Sequence, residues 1–201
     1  MERHTTSNHG PFASRRAVLV ATGTAGLAAL AGCFGDDGEV PDPISLDDEQ
    51  SCDVCGMIVE MHPGPSGQAF YADEEALPAE RDADEPAYFC SSLCAYEYVF
   101  DQADLGFDPT VLYLTDYTAV GDDWEVYDEQ GMLFITEHIE AEYFADATGL
   151  TLVAGSDAHG AMGQSIVGLS DADDADAFAE EYGGHILEHD EISRELIDGL
   201  G

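Results

Sequence analysis

Soft metal ligands are concentrated in residues 52–62. Two thiols, two thioethers and an imidazole fall within these eleven residues, from Cys52 to His62. A hydrophobic core has no need for so many sulfur and nitrogen donors in one short stretch. The stretch therefore predicts a metal site.

The spacing within this stretch favours copper(I). The gap of two residues between Cys52 and Cys55 lets a tight turn bring both sulfurs together, and Gly56 supplies a permissive backbone directly afterwards. If the chain continues as a strand over residues 57–61, Cys55 and Met57 point to the same side, because side chains alternate along extended chain. A thiolate with a thioether selects copper(I), whereas zinc binds Cys and His but seldom Met.

A second pair of thiols, Cys90 and Cys94, lies at the predicted start of a helix. We expect this helix to begin near Cys90 or Ser91, whose hydroxyl can cap it. Residues four apart share one side of a helix, and the helix dipole favours thiolate near its N-terminus. The CxxC turn together with the CxxxC helix start resembles the treble-clef metal-binding modules of the TRASH type. A disulfide is the main alternative in an oxidising compartment.

The order of predicted elements indicates an α+β protein built from two pseudo-symmetric strand-strand-helix-strand units. The first unit has strands at 57–61, 68–72 and 111–115, with the helix before the last of them. The second has strands at 150–154, 166–169 and 185–188 and a helix at 173–182.

These elements divide the domain into a first metal-binding half (51–118), a connection (119–149) and a second half (150–201). In the second half, residues 155–163 form a glycine-rich loop that holds Met162. A methionine within such a loop has little core to fill, so Met162 is a candidate third soft ligand.

The charge balance is strongly acidic. Among 201 residues there are 43 Asp and Glu against 5 Lys and Arg, all of them arginine, whereas 45% are hydrophobic. The hydrophobic content argues against disorder. A carboxylate coat of this density is typical of a halophile, where concentrated salt screens the repulsion. It also argues against nucleic acid as a partner.

The N-terminus predicts an exported lipoprotein. Arg15 and Arg16 precede an apolar run that ends in Leu30-Ala31-Gly32-Cys33, so residues 1–32 match a twin-arginine signal peptide with a lipobox. Cleavage leaves Cys33 as the lipid attachment point on the outer face of the cytoplasmic membrane. Residues 33–50 are rich in Gly, Pro and acids, and we expect a flexible, lipid-anchored linker there.

Several blocks in sequence order resemble the NosL family of copper-binding lipoproteins. They are Cys33, Cys55-Gly56-Met57, His62-Pro63-Gly64-Pro65, Gln68, Gly155-Ser156, Met162-Gly163 and Ala177-Phe178-Ala179-Glu180-Glu181-Tyr182-Gly183-Gly184. The resemblance implies two strand-strand-helix-strand units, copper(I) binding and delivery of copper to nitrous oxide reductase outside the membrane. It also implies Cys55, Met57 and Met162 as the ligand set, with His62 a weaker candidate.

The chain departs from that pattern in its extra thiols. Cys52, Cys90 and Cys94 add three sulfurs to the Cys-x-Met element, and they could form a structural zinc site, a disulfide or a thiolate-rich copper site. The leading hypothesis is a metallochaperone without enzymatic activity, and the alternative is a structural zinc-binding interaction module. A thiol-disulfide oxidoreductase is disfavoured because its CxxC normally opens a helix, which Gly56 and the following β-branched residues oppose.

Overall fold

A computed structural model describes residues 40–47, 49–79, 81–82 and 84–201. The predicted signal peptide (1–32) and the lipid attachment point Cys33 lie outside the described residues. None of the helices within the described ranges is long and apolar enough to cross a membrane.

The first half is a strand-strand-helix-strand unit. Its elements are β1 (Gly67–Phe70), β2 (Ala87–Phe89), α1 (Ser92–Leu105) and β3 (Val111–Thr115). Strand β1 is central and pairs antiparallel with both β2 and β3. Helix α1 begins after the Ser91 cap and ends at Leu105. Gly106 follows as the C-cap, with a left-handed φ of 96° that suits this position.

The second half repeats this topology. Its elements are β7 (Thr151–Ala154), β8 (Ala158–His159), β9 (Ile166–Leu169), α3 (Ala172–Tyr182), β10 (His185–Leu187) and α4 (Arg194–Leu200). Strand β7 is central and pairs antiparallel with β9 and β10, as β1 does with its two neighbours. The predicted α+β fold with two similar units is therefore confirmed.

The connection between the halves has its own elements. These are α2 (Tyr117–Val120), β4 (Val126–Glu129), β5 (Met132–Ile135) and β6 (Phe144–Asp146). Strands β4 and β5 form a hairpin, β5 pairs parallel with β8, and β6 extends the first sheet beside β3.

The strand predicted over residues 57–61 is wrong. Ile58 makes a single antiparallel bridge with Ser51, and the chain then turns into a 3-10 helix at Val59–Met61. Val59 is 1% exposed and Met61 is 70% exposed, although a strand would place both on one face. The additional strand of the first unit is instead β2, for which no strand was predicted.

The prediction of a flexible linker as far as Gln50 is wrong for the part that the structure describes, which packs on the domain. The Gln68 side chain, fully buried in β1, accepts a hydrogen bond from Ile44 N (3.0 Å) and donates one to Ile44 O (2.9 Å). Leu46 is buried, and its N–H donates to Ile139 O at 2.8 Å. Apolar residues within an acidic segment therefore fix this part of the chain on the domain.

The two halves share one main core. Leu152 and Ala154 of β7 pack into it beside residues of β1 and α1, whereas Val153 faces a smaller core with Tyr117 and Phe178. This alternation along β7 places the second sheet between both cores. The shared core holds the loops of the second half against the cysteine-bearing elements of the first.

Candidate metal centre

The structure gathers four cysteines into one site, which we call the thiol site. The Sγ atoms of Cys52, Cys55, Cys90 and Cys94 all lie within 4.8 Å of one another, and those of Cys55 and Cys90 are 3.4 Å apart. Metal–sulfur bonds of about 2.3 Å in a tetrahedron separate the sulfurs by roughly 3.8 Å. The cluster therefore fits one soft metal ion coordinated by four sulfurs.

The first pair of sulfurs lies on a backbone turn. Cys52 N donates to Met57 O, and Gly56 N donates back to Cys52 O, both at 2.8 Å. Gly56 closes the turn at a φ of 75°, a conformation that glycine adopts without strain. The turn with a permissive glycine matches the sequence prediction.

The second pair lies at the start of α1. Cys90 follows β2 directly, and Cys94 occupies the first turn of the helix. Ser91 Oγ accepts a hydrogen bond from Cys94 N at 3.1 Å, which satisfies one of the free N–H groups of the helix start. The predicted cap is confirmed, and it holds both thiols at the positive end of the helix dipole.

Burial differs sharply among the four thiols. Cys52, Cys90 and Cys94 are 3%, 1% and 2% exposed, whereas Cys55 is exposed. All four are free thiols, so the disulfide alternative does not describe this structure. Cys55 is thus the sulfur that a solvent-borne ligand or partner reaches first.

Hydrogen bonds among the sulfurs shift the thiol pKa values in opposite directions. Hydrogen bonds from the Cys90 and Cys94 thiols lower the pKa of Cys52. The hydrogen bond with Cys52 raises the pKa of Cys94 to about 12, and the same interaction raises the pKa of Cys90. Four adjacent thiolates require a cation, which a bound metal would supply.

An ion pair that the sequence analysis did not identify supports the CxxC turn. Asp53 accepts hydrogen bonds from Tyr88 N at 2.7 Å and from the Arg81 guanidinium at 2.8 Å. Arg81 also donates to Pro86 O and lies over the Tyr88 ring, 3.8 Å from its centroid. These contacts join the first cysteine pair to β2, which leads directly to the second.

Met162 shares a pocket with one cysteine of the thiol site. It is 41% exposed, and with Cys94 it lines a pocket of about 400 Å³, which we call the Met162 pocket. The remaining lining residues are Leu93, Glu97, Ile197, Asp198 and Gly201. Helix α4 therefore contributes to the wall of a pocket that Met162 and Cys94 both line.

Close packing between two loops positions Met162. Gly64, at a φ of 102°, approaches Gly160 so closely that a Cβ on Gly64 would overlap Gly160 Cα. Ser92 strengthens this junction, because its N–H donates to Pro65 O and its Oγ accepts from Ile166 N, both at 2.9 Å. The Pro-Gly-Pro turn thus holds the Met162 loop against the start of α1.

The geometry supports Met57 and His62 as metal ligands less directly than it supports the four cysteines. Met57 is partly buried and packs against the main core. The expectation that it lies on the same side as Cys55 assumed extended chain, which the turn through Gly56 replaces. His62, also partly buried, is not part of the thiol site.

Known proteins resemble this chain over most of its length. A family model described as NosL matches residues 43–197. The copper-binding lipoprotein NosL of Stutzerimonas stutzeri is 30% identical over 184 residues, which cover 90% of this chain and 80% of that protein.

The fold has a crystallographic counterpart. The structure of the copper chaperone NosL from Shewanella denitrificans superposes with a TM-score of 0.58 at 24% identity, covering 75% of this chain and 95% of that one. This similarity supports the fold described above.

Proposed function

Because this chain belongs to the NosL family, we propose that it is a metallochaperone that binds copper(I) and delivers it outside the cytoplasmic membrane. The observation that carries the proposal is the thiol site, whose four sulfurs lie within 4.8 Å of one another with Cys55 exposed. Sulfur ligands select a soft ion such as copper(I), and an exposed ligand allows a recipient to enter the coordination shell before the ion leaves.

Residue roles follow from position. Cys52, Cys55, Cys90 and Cys94 would hold the ion, and Met162 would bind it transiently in the pocket that also contains Cys94. The resemblance adds Met57 and, with less support, His62 as ligands. The S. stutzeri and S. denitrificans proteins are named as a copper-binding lipoprotein and a copper chaperone, and the proposal assigns this chain no catalytic role.

A competition experiment tests the metal. The full-length chain is purified anaerobically in high salt and titrated with copper(I) and zinc against a chromophoric chelator. We expect copper(I) to displace zinc. Cys55→Ser should weaken copper(I) binding at least tenfold, and Met162→Leu should weaken it at least threefold. Met132→Leu is the matched control, because Met132 is similarly exposed but lies on β5.

The second candidate is a structural zinc module, favoured by the burial of three of the four thiols. It predicts one zinc per chain that copper(I) does not displace, no effect of Met162→Leu, and unfolding when the metal is removed. Circular dichroism before and after chelation distinguishes the two. Retained fold after complete metal removal, together with the methionine dependence, would support the chaperone.

The proposed recipient is nitrous oxide reductase, as the family resemblance implies. The test mixes the copper-loaded chain with metal-free reductase, separates the two and measures copper in each. Transfer should be fast with the parent and slow with Cys55→Ser. If copper stays on the chain or moves equally to an unrelated apoprotein, this recipient is wrong.

The proposed location is the outer face of the membrane, held by lipid on Cys33 after export through the twin-arginine route. The lipoprotein from S. stutzeri supports the anchor. Cys33→Ala should release the chain from the membrane fraction, and replacing Arg15 and Arg16 by lysine should retain its precursor inside the cell. An unchanged distribution in both variants would contradict the route and the anchor.

A further inference from the structure

A cavity of about 290 Å³ lies between α2, the turn that follows it, and α3. Trp124, Phe178 and Tyr182 line it, with Tyr117 fully buried beneath. None of its lining residues is a cysteine or methionine, so the cavity is separate from the thiol site. We call it the aromatic cavity.

The aromatic rings are packed against one another. The Trp124 and Phe178 ring centroids are 5.9 Å apart, and those of Phe178 and Tyr182 are 4.9 Å apart. Trp124 also meets Tyr117 edge to face, at 5.9 Å and 85°. These contacts give the cavity aromatic walls held in place by the smaller core.

Three acidic residues also line the cavity, namely Asp122, Asp174 and Glu181. Thr118 Oγ1 donates to Asp174 Oδ2 at 2.9 Å and fixes that side chain. The arginines within the described ranges lie elsewhere, since Arg81 pairs with Asp53 and Arg194 with Asp101 and Asp104. Acidic groups alone would reflect the overall composition, but here they line the same cavity as the aromatic rings.

We propose that the aromatic cavity binds an organic cation, namely an alkylammonium or guanidinium group. Aromatic faces attract such cations through the ring quadrupole, and the carboxylates add charge complementarity. The volume is at the small end for ligand pockets, which suits a small quaternary amine or one cationic side chain of a partner. This site is independent of the proposed copper function.

Trp124 makes the test direct, because it is the single tryptophan of the chain. The full-length chain is titrated with tetramethylammonium chloride, or with N-acetylarginine amide, replacing NaCl at constant ionic strength. Tryptophan fluorescence and calorimetry are recorded in parallel. Saturation by tetramethylammonium alone indicates that the ligand is a small quaternary amine. Saturation by the arginine derivative at a lower concentration than tetramethylammonium indicates that the ligand is a side chain of a partner.

Controls separate cation recognition from solvent effects. tert-Butanol, a neutral molecule of similar shape, should give no saturable response. Glu181→Gln and Asp122→Asn should each weaken binding at least threefold, whereas Glu180→Gln, on the same helix but outside the cavity, should not. Thermal unfolding confirms that each variant folds. A response equal to that of tert-butanol, no saturable signal by either method, or indifference to both cavity variants would overturn the proposal.

Discussion

Sequence spacing predicts the contribution of some residues to the thiol site better than that of others. The close spacing of Cys52 with Cys55 and of Cys90 with Cys94 predicts two local sulfur pairs. Spacing alone leaves open whether the extra thiols form a structural zinc site, a disulfide or a thiolate-rich copper site. The support from Arg81 to Asp53 could not be predicted, because the two are separated along the chain and no local pattern marks the pair. Alternation along an extended chain does not apply to Met57, because Gly56 before it is in a turn at a φ of 75°.

Replacement of Arg81 by glutamine should strongly destabilise the fold. The Arg81 and Asp53 side chains are 14% and 9% exposed, so the change leaves a largely buried carboxyl group without its cation. Breaking such a pair costs on the order of 3 kcal/mol. Urea unfolding of the reduced, metal-free chain at fixed salt measures the loss.

Arg194→Gln is the matched control for this change. Arg194 pairs with Asp101 and Asp104, whose side chains are 60% and 78% exposed, so solvent already screens the interaction. We expect a clearly smaller loss of stability than for Arg81→Gln. Equal losses for the two variants would show that the Asp53 pair does not support the turn.

Among the elements, those with strong end signals were predicted best. Helix α3 begins at Ala172 after its Asp171 cap and ends at Tyr182 before Gly183, close to the prediction of 173–182. Strand β2 has only three residues, all buried, and it enters α1 almost directly, so periodicity gave no separate signal. The 57–61 segment had apolar residues at strand spacing, yet its pairing ends at Ile58.

Removal of the α1 cap should affect both stability and metal binding. Ser91→Ala removes the acceptor for Cys94 N, and loss of an N-cap costs about 1 kcal/mol. It also loosens the turn that holds Cys90 and Cys94, so copper(I) affinity should fall severalfold. Urea unfolding and chelator competition measure the two effects.

The α3 cap provides the comparison for this element. Asp171 accepts from Asp173 N at 2.8 Å, so Asp171→Ala should lower stability by a similar amount. It lies far along the chain from the cysteines, and copper(I) affinity should not change. If both variants weaken copper binding equally, the effect is a general loss of stability rather than positioning by Ser91.

At the scale of the whole molecule, the acidic coat sets the conditions under which the fold and both proposed sites operate. With a formal charge of −38, like-charge repulsion opposes the compact state until salt screens it. We therefore expect the urea midpoint to rise steeply as KCl increases from about 0.1 to 1 M, where the Debye length falls from about 10 Å to 3 Å. Sucrose at matched osmolality is the control for general exclusion effects, and it should stabilise the chain less.

Screening by salt should affect ligand affinity differently at the two proposed sites. Copper(I) held by sulfur ligands is bonded mainly by soft donors, so its affinity should change little over this salt range once the chain is folded. Binding of tetramethylammonium in the aromatic cavity depends partly on carboxylate charge and should weaken as KCl rises. Parallel titrations at two KCl concentrations, both above the folding transition, measure this difference. A copper(I) affinity that falls with salt as steeply as the tetramethylammonium affinity would mean that the acidic coat, rather than the sulfur ligands, captures the metal.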